Sequence, residues 1–297
     1  MENKVVFSIF IDIPEDRLDN PGWYDQGKQV ITDKSKQTKL ALLNNAELVT
    51  ERQKQYANDI GADYILFEYD STYKKFFNEI KNRFTEISEY DIVNFYKHRV
   101  MRDMADQYEY VCYLDFDVVP NTTDCIFEAH NVDTMMAVAE SNRLAIRGKV
   151  MKAKDYNLCI RNPATKYWNT HAMLMEEGFD PENNVFNTGI MAASSEVIKQ
   201  LDYFKNFDYI INLMTEVKHD EYSLYPENIQ RVFNYDNETV FSFWVKSREI
   251  QIQYMKKEWH WLVDELVSDP NQMDPKAKLY HFINKKMEWI RDINKNK

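Results

Sequence analysis

The sequence predicts an α/β fold built on a largely parallel sheet, and three observations carry that expectation. Short apolar runs at 5–11, 64–67 and 110–114 have the β-branched and aromatic content of buried strands. Helical periodicity separates them, so the first 120 or so residues read strand, helix, strand, helix, strand. That order requires parallel neighbours joined by crossovers. The chain has 297 residues, 44% hydrophobic and 14% aromatic, enough length and apolar content for a sizeable core. Ligands bind outside the carboxyl ends of strands in such sheets, so a site is expected just after Ile11, Phe67 and Leu114.

The first run, Val5-Val6-Phe7-Ser8-Ile9-Phe10-Ile11, meets Asp12 and Pro14 and ends in a turn. Residues 16–33 are polar, with Pro21, Gly22 and Gly27, and read as a loop. A long helix is predicted over 38–60 through Leu40, Leu43, Ala46, Leu48 and Tyr56, stopped by Gly61. The second strand is Tyr64-Ile65-Leu66-Phe67. A helix over 91–107, with Val93, Phe95, Tyr96, Val100 and Met104 at helical spacing, feeds the strand Tyr110-Val111-Cys112-Tyr113-Leu114. Residues 135–139 and 185–192 read as further strands, and from Ile198 onward the pattern is mostly helical with a strand-like patch at 250–255. There is no internal repeat, low-complexity tract or linker, so one domain is expected over 1–297.

The formal net charge is −11, a surface that repels polyphosphate, so nucleic acid and anionic membranes are excluded as default partners. A small anionic substrate needs a local cation or converging lysines. Cys112, Cys125 and Cys159 match no metal or CxxC spacing and read as reduced thiols. No signal peptide or transmembrane segment is evident, so a soluble, cytoplasmic protein is expected.

The chemistry concentrates at Asp115-Phe116-Asp117, directly after the apolar run 110–114. Two carboxylates one residue apart at a strand end repel unless solvated or bridged, and a hard divalent ion with oxygen ligands suits them. A plain turn is the bland alternative. A phosphatase that uses such a pair as nucleophile and acid needs a second acidic cluster, but the chain has no Asp-Asp pair and no glycine preceding an aspartate. A sugar-phosphate nucleotidyltransferase needs a Gly-rich basic loop after the first strand, where this chain has Ile11-Asp12-Ile13-Pro14-Glu15. A non-catalytic binding module is the other rival.

Four segments, in order, resemble one family. Tyr113-Leu114-Asp115-Phe116-Asp117-Val118-Val119 is similar to the Y-L-D-x-D string of glycosyltransferase family 8, the glycogenin and lipopolysaccharide galactosyltransferase group. Phe186-Asn187-Thr188-Gly189-Ile190-Met191 resembles its F-N-x-G strand, and Tyr235-Asp236-Asn237-Glu238 its D-Q-[DE] element. Leu279-Tyr280-His281-Phe282, followed by Trp289, resembles its H-[FY]-x-G-x-x-K-P-W tail, with Asn284 at the glycine and Met287 at the lysine.

The resemblance implies a GT-A fold, a mixed sheet flanked by helices. It divides the chain into a nucleotide-binding half, 1–120, and an acceptor and catalytic half, 121–297. It also implies a nucleotide-sugar donor, UDP by family default, a hydroxyl acceptor such as a glycan, and retention of configuration. Asp115, Asp117 and His281 would ligate Mn²⁺ or Mg²⁺. Lys285 or Lys286 would replace the missing tail lysine on the diphosphate, and Lys97 would approach the donor from its helix. Asn187 and Thr188 would end near the sugar. Asp236 would hold hydroxyls, Asn237 would stand at the amide position, and Glu238 competes for the catalytic role. Asp236 or Asn237 also reads as a helix N-cap. Residues 154–182, with Tyr156, Tyr167, Trp168 and His171, are a candidate acceptor lip or, equally, an ordinary surface insertion. Trp259, His260 and Trp261 are assigned to core packing.

Overall fold

The computed structural model describes residues 3–18, 23–25, 28–30, 34–140, 163–219, 225, 230, 233–264, 267–291 and 293. Strands β1 (Lys4–Phe10), β2 (Trp23–Asp25), β3 (Lys28–Val30), β4 (Asp63–Glu68), β5 (Tyr110–Leu114) and β6 (Val118–Pro120) lie toward the N-terminus. Strands β7 (Met136–Glu140), β8 (Phe186–Ser194), β9 (Ile252–Tyr254), β10 (Trp261–Leu262) and β11 (Leu279–His281) follow. The helices are α1 (Lys34–Asp59), α2 (Ser71–Arg83), α3 (Glu89–Met104), α4 (Ile126–Ala129), α5 (Pro163–Glu176), α6 (Ser195–Leu201), α7 (Phe207–His219) and α8 (Asn237–Ser247).

The main sheet has six strands in the order β4-β1-β5-β8-β7-β9. Strand β1 runs parallel to β4 and β5, as expected, while β8 lies antiparallel to β5 and β7. Side chains alternate between two cores, as the two-residue period of a strand dictates. Val5 and Phe7 of β1, Val111 and Tyr113 of β5, and Met191 and Ala193 of β8 face one core, which α3 and α8 cover. Val6, Cys112, Leu114, Ile190 and Ala192 face the other, which Tyr56 and Ala57 of α1 complete. A second sheet, β10-β11-β6, carries a third core with Phe116, Val119, Trp261 and Phe282.

The structure departs from expectation in three places. Helix α2 is an addition, although Tyr73, Phe76 and Ile80 form its buried stripe and Asp70 caps it by accepting from Tyr73 N–H. The expected loop contains a hairpin, with Trp23 opposite Val30. Helices fill 195–201, 207–219 and 237–247, but beyond Ser247 the described chain is short strands and 3₁₀ turns. No helix among the described residues is long and apolar enough to cross a membrane.

Candidate active site

Strand β5 ends at Leu114 and the chain turns at once, with Val118 N–H donating to Asp115 O at 2.9 Å. Gln53 of α1, fully buried, clamps this turn from beneath. Its Nε2 donates to the carbonyls of Asp115 at 3.1 Å and Val118 at 2.8 Å. Its Oε1 accepts from Ser8 Oγ of β1 at 2.7 Å and from Tyr64 OH of β4 at 2.9 Å. Ser8 Oγ also lies 2.6 Å from Leu114 O, so its single proton is shared between two acceptors. The backbone of the acidic triplet is thereby fixed without using either carboxylate.

Sheet pairing explains how residue 281 reaches residue 117. Strand β11 pairs antiparallel with β6, His281 opposite Val118, and Phe282 N–H donates to Asp117 O at 2.9 Å. His281 Nε2 then stands 3.6 Å from Asp115 Oδ2 and 3.4 Å from Asp117 Oδ1. One ligand atom from each of the three residues falls within 4.8 Å of the others. Strand β8 leaves room for them. Between Val138 and Ala139 the β7 partner jumps from Met191 to Asn187, which releases Thr188 and Gly189 from that ladder. A Cβ on Gly189 would meet His281 Cε1, with His281 Nδ1 and Asp115 Oδ2 both at 2.9 Å.

Two lysines supply positive charge beside the carboxylates. Lys285 Nζ pairs with Asp117 Oδ2, carried there by a turn in which Lys285 adopts φ +61°. Lys97 Nζ of α3, almost fully buried, lies 3.7 Å from Asp115 Oδ1 and 5.3 Å from the Tyr113 ring centre. Tyr113 OH donates to that same Asp115 oxygen. Burial alone would raise the Asp117 carboxyl, but Lys285 and His281 outweigh it and hold the group well below the usual range. Burial would conversely lower Lys285, and Asp117 more than restores its charge. Lys286 is not brought to this cluster. Its Nζ bonds Val267 O at 3.1 Å and lies 4.6 Å from the Trp289 ring centre.

The third expected group assembles next door. Asp236 caps α8, its Oδ1 accepting from Glu238 N–H at 2.9 Å and Thr239 N–H at 3.1 Å. Thr188 ties β8 to this cap, its Oγ1 donating to Asn237 Oδ1 and its N–H to Glu238 Oε1, each at 2.9 Å. His98 Nε2 lies 3.2 Å from Asn237 Oδ1, and its ring stacks on Tyr203 at 4.0 Å. Thr188 serves this group and Gly189 the carboxylate cluster, one backbone step apart. Lys97 and His98 span the same gap from α3. Asn187 Oδ1 accepts from Gly189 N–H at 2.9 Å, folding the β8 edge onto itself.

Two participants, Gln53 and Lys166, were not singled out by the sequence, and a third, His260, was given another role. Lys166 of α5 pairs with Glu238 and lies 3.7 Å from Asp236 Oδ2. Burial would lower its ammonium, and the two carboxylates raise it instead. His260, expected to serve core packing, is buried, yet its Nε2 stands 2.8 Å from His281 Nδ1. Arg99 and Arg102, on the same helix as Lys97, spend their charge on Asp103 and Asp106 at the surface. Of the expected acceptor lip, Tyr167, Trp168 and His171 cluster on α5, with Trp168 and His171 rings 5.0 Å apart. Tyr156 lies outside the described residues, as does Cys159; Cys112 and Cys125 are free thiols.

No protein-family model matches the sequence, and no curated protein matches it. Solved structures do. The WbbM bifunctional glycosyltransferase, in its apo structure, aligns over 99% of this chain and 50% of its own at TM-score 0.50 and 13% identity. A glycosyltransferase involved in glycosylation of the major capsid of PBCV-1 aligns over 98% of both chains at TM-score 0.46 and 10% identity. The galactosyltransferase LgtC, in complex with donor and acceptor sugar analogs, aligns over 94% of this chain and 87% of its own at TM-score 0.46 and 10% identity. At such identities the likeness to WbbM, of which the chain spans half, establishes the fold, the expected GT-A arrangement of a mixed sheet flanked by helices.

Proposed function

We propose that the chain is a metal-dependent glycosyltransferase that moves a sugar from a nucleotide-diphosphate sugar, by family default a UDP-sugar, to a hydroxyl acceptor such as a glycan. The convergence of Asp115, Asp117 and His281 within 4.8 Å at the carboxyl edge of the sheet carries this reading. Two carboxylates and an imidazole fit Mn²⁺ or Mg²⁺. The Gly189 gap supports the fit, since a side chain there would push His281 and Asp115 away from each other. Once held by these residues, the ion would supply the positive charge that a departing diphosphate needs.

The chain's own residues account for the rest. Lys285 exchanges Asp117 for a diphosphate oxygen, and Lys97 keeps a second positive charge beside Asp115. Asn187 borders the sugar from β8, whereas Thr188, expected beside it, is fully buried and spends its hydroxyl and N–H on Asn237 and Glu238. Within the cap, Asn237 Oδ1 is committed to Thr188 and His98, and Glu238 to Thr188 and Lys166. Among the described residues Asp236 Oδ2 has Lys166 alone, at 3.7 Å, so it is the oxygen best placed to accept a sugar hydroxyl. With Glu238 paired and Asp236 given to a sugar hydroxyl, no carboxylate of this cluster among the described residues is left as a general base. That favours front-side attack, with the acceptor proton passing to the leaving diphosphate; retention of configuration is what the family resemblance implies.

A screen of nucleotide sugars with Mn²⁺ for slow donor hydrolysis tests the activity. Asp117→Ala should abolish that turnover and Mn²⁺-dependent UDP binding while leaving the far-UV circular dichroism unchanged. Unaltered UDP and Mn²⁺ affinity by calorimetry would sink the metal assignment.

A further inference from the structure

His260 directly precedes β10, the strand that neighbours the one carrying His281. Strands β10 and β11 pair in parallel, Leu262 opposite His281, and a 3₁₀ turn at Lys257–Trp259 delivers His260 to the strand's start. Both histidines are buried, at 6% and 4% exposure, so water does not fill the space between them. Their rings lie nearly parallel, 15° apart with centres at 5.0 Å, and His260 Nε2 meets His281 Nδ1 at 2.8 Å. The opposite nitrogen of His281, Nε2, is the one that faces Asp115 and Asp117.

We infer that His260 is a positioning residue for the metal site: it accepts a hydrogen bond from His281 Nδ1–H and so leaves His281 Nε2 bare toward the two aspartates. Two nitrogens at this distance share one proton. When His281 donates it, the neutral ring has its lone pair on Nε2, the tautomer a metal requires. The reverse donation puts the ring proton on Nε2 and blocks ligation.

The arrangement carries a cost that packing does not explain. His260 Nδ1 is buried and has no hydrogen-bond partner among the described residues. A phenylalanine could be buried at this position without stranding a polar atom. A histidine is needed there only if its other nitrogen has work to do.

The inference rests on the metal site proposed above, and the experiment separates the two. Mn²⁺ affinity of the full chain, without nucleotide, is measured by the electron paramagnetic resonance signal of free Mn²⁺. Four variants are compared with the parent: His260→Phe, His260→Asn, His260→Gln and Asp117→Ala. Glutamine places a carbonyl oxygen near the position of Nε2, whereas asparagine reaches only to that of Nδ1. Loss of an outer hydrogen-bond partner of a metal-bound histidine weakens binding about 10- to 100-fold, and that loss is expected for Phe and Asn. Gln should recover most of it, and metal-free melting temperatures should not follow the same order. Parent-like affinity in His260→Phe, or equal losses in Gln and Asn, overturns the role of His260. Parent-like affinity in Asp117→Ala instead removes the metal site, and the role of His260 with it.

Discussion

Gly189 shows how little space the site leaves. It is not in the left-handed region that excludes side chains elsewhere; what requires glycine is the approach of His281 and Asp115. The obstructing atoms belong to an imidazole tied to His260 and to a carboxylate tied to Tyr113, so neither can swing aside freely. Gly189→Ala should therefore cost about 1–3 kcal/mol of stability through overpacking, read by urea unfolding. Mn²⁺ affinity should fall in the same variant, because relief of the clash drives His281 and Asp115 apart. A full-affinity, fully stable alanine variant would show that β8 can retreat. The choice between Lys285 and Lys286 is also made at this scale. Lys285 turns back at φ +61° to reach Asp117, whereas Lys286 continues outward to Trp289. Adjacent lysines in a sequence look alike, and only the backbone of the turn distinguishes them.

Helix α8 shows one residue serving both an element and a site. Asp236 accepts two N–H groups of the first turn while its second oxygen faces Lys166. Asp236→Ala should cost about 1 kcal/mol as a lost cap, and Asp236→Asn much less, since asparagine caps nearly as well. Donor hydrolysis should fall in both, because both remove the carboxylate. If Asn keeps full turnover, Asp236 is a cap and nothing more. This element is legible in the sequence because its cap and its apolar periodicity sit side by side in the chain. So are β1, β4, β5, α1 and α3, each a run long enough for its period to show. Helix α2 carries a stripe as regular, at Tyr73, Phe76 and Ile80, set among lysines and asparagines that mask it. Strand β9 falls within the strand-like patch at 250–255, but β10 and β11 have two or three residues each, too few for any period, so the chain beyond that patch cannot be read locally. The meeting of His260 with His281 depends on the β10–β11 register, and that of Lys166 with Asp236 and Glu238 on how α5 packs against α8. Both are tertiary facts with no short-range signature.

At the scale of the molecule, the site is built inside the core and its histidines share the core's electrostatics. Burial, and then the charge of Lys97, push His98 well below its ordinary value, and burial next to His281 does the same to His260. Both rings are therefore neutral in the folded chain under conditions where an unfolded chain would protonate them. For a base whose folded value is depressed, the unfolded state binds the extra proton below pH about 6.5, and stability falls as pH falls. Each such group contributes a slope of about 1.4 kcal/mol per pH unit until its folded value is reached. Two together approach about 2.7 kcal/mol per unit, a steep loss for a domain of ordinary stability. Asp117 does not add to this window. Its carboxyl is held low, so its contribution is intact above its unfolded value of 3.8 and is lost only as pH falls further. The acid limb should thus begin with the histidines and be joined later by the carboxylate. Urea unfolding of the metal-free chain between pH 7 and 5 measures it directly. His98→Phe keeps the stack on Tyr203 and removes one titrating group, so it should lower the slope by about 1.4 kcal/mol per pH unit. An unchanged slope in that variant would mean that His98 takes up its proton while folded, and that the core around Lys97, Asn237 and Tyr203 admits more charge than its packing implies.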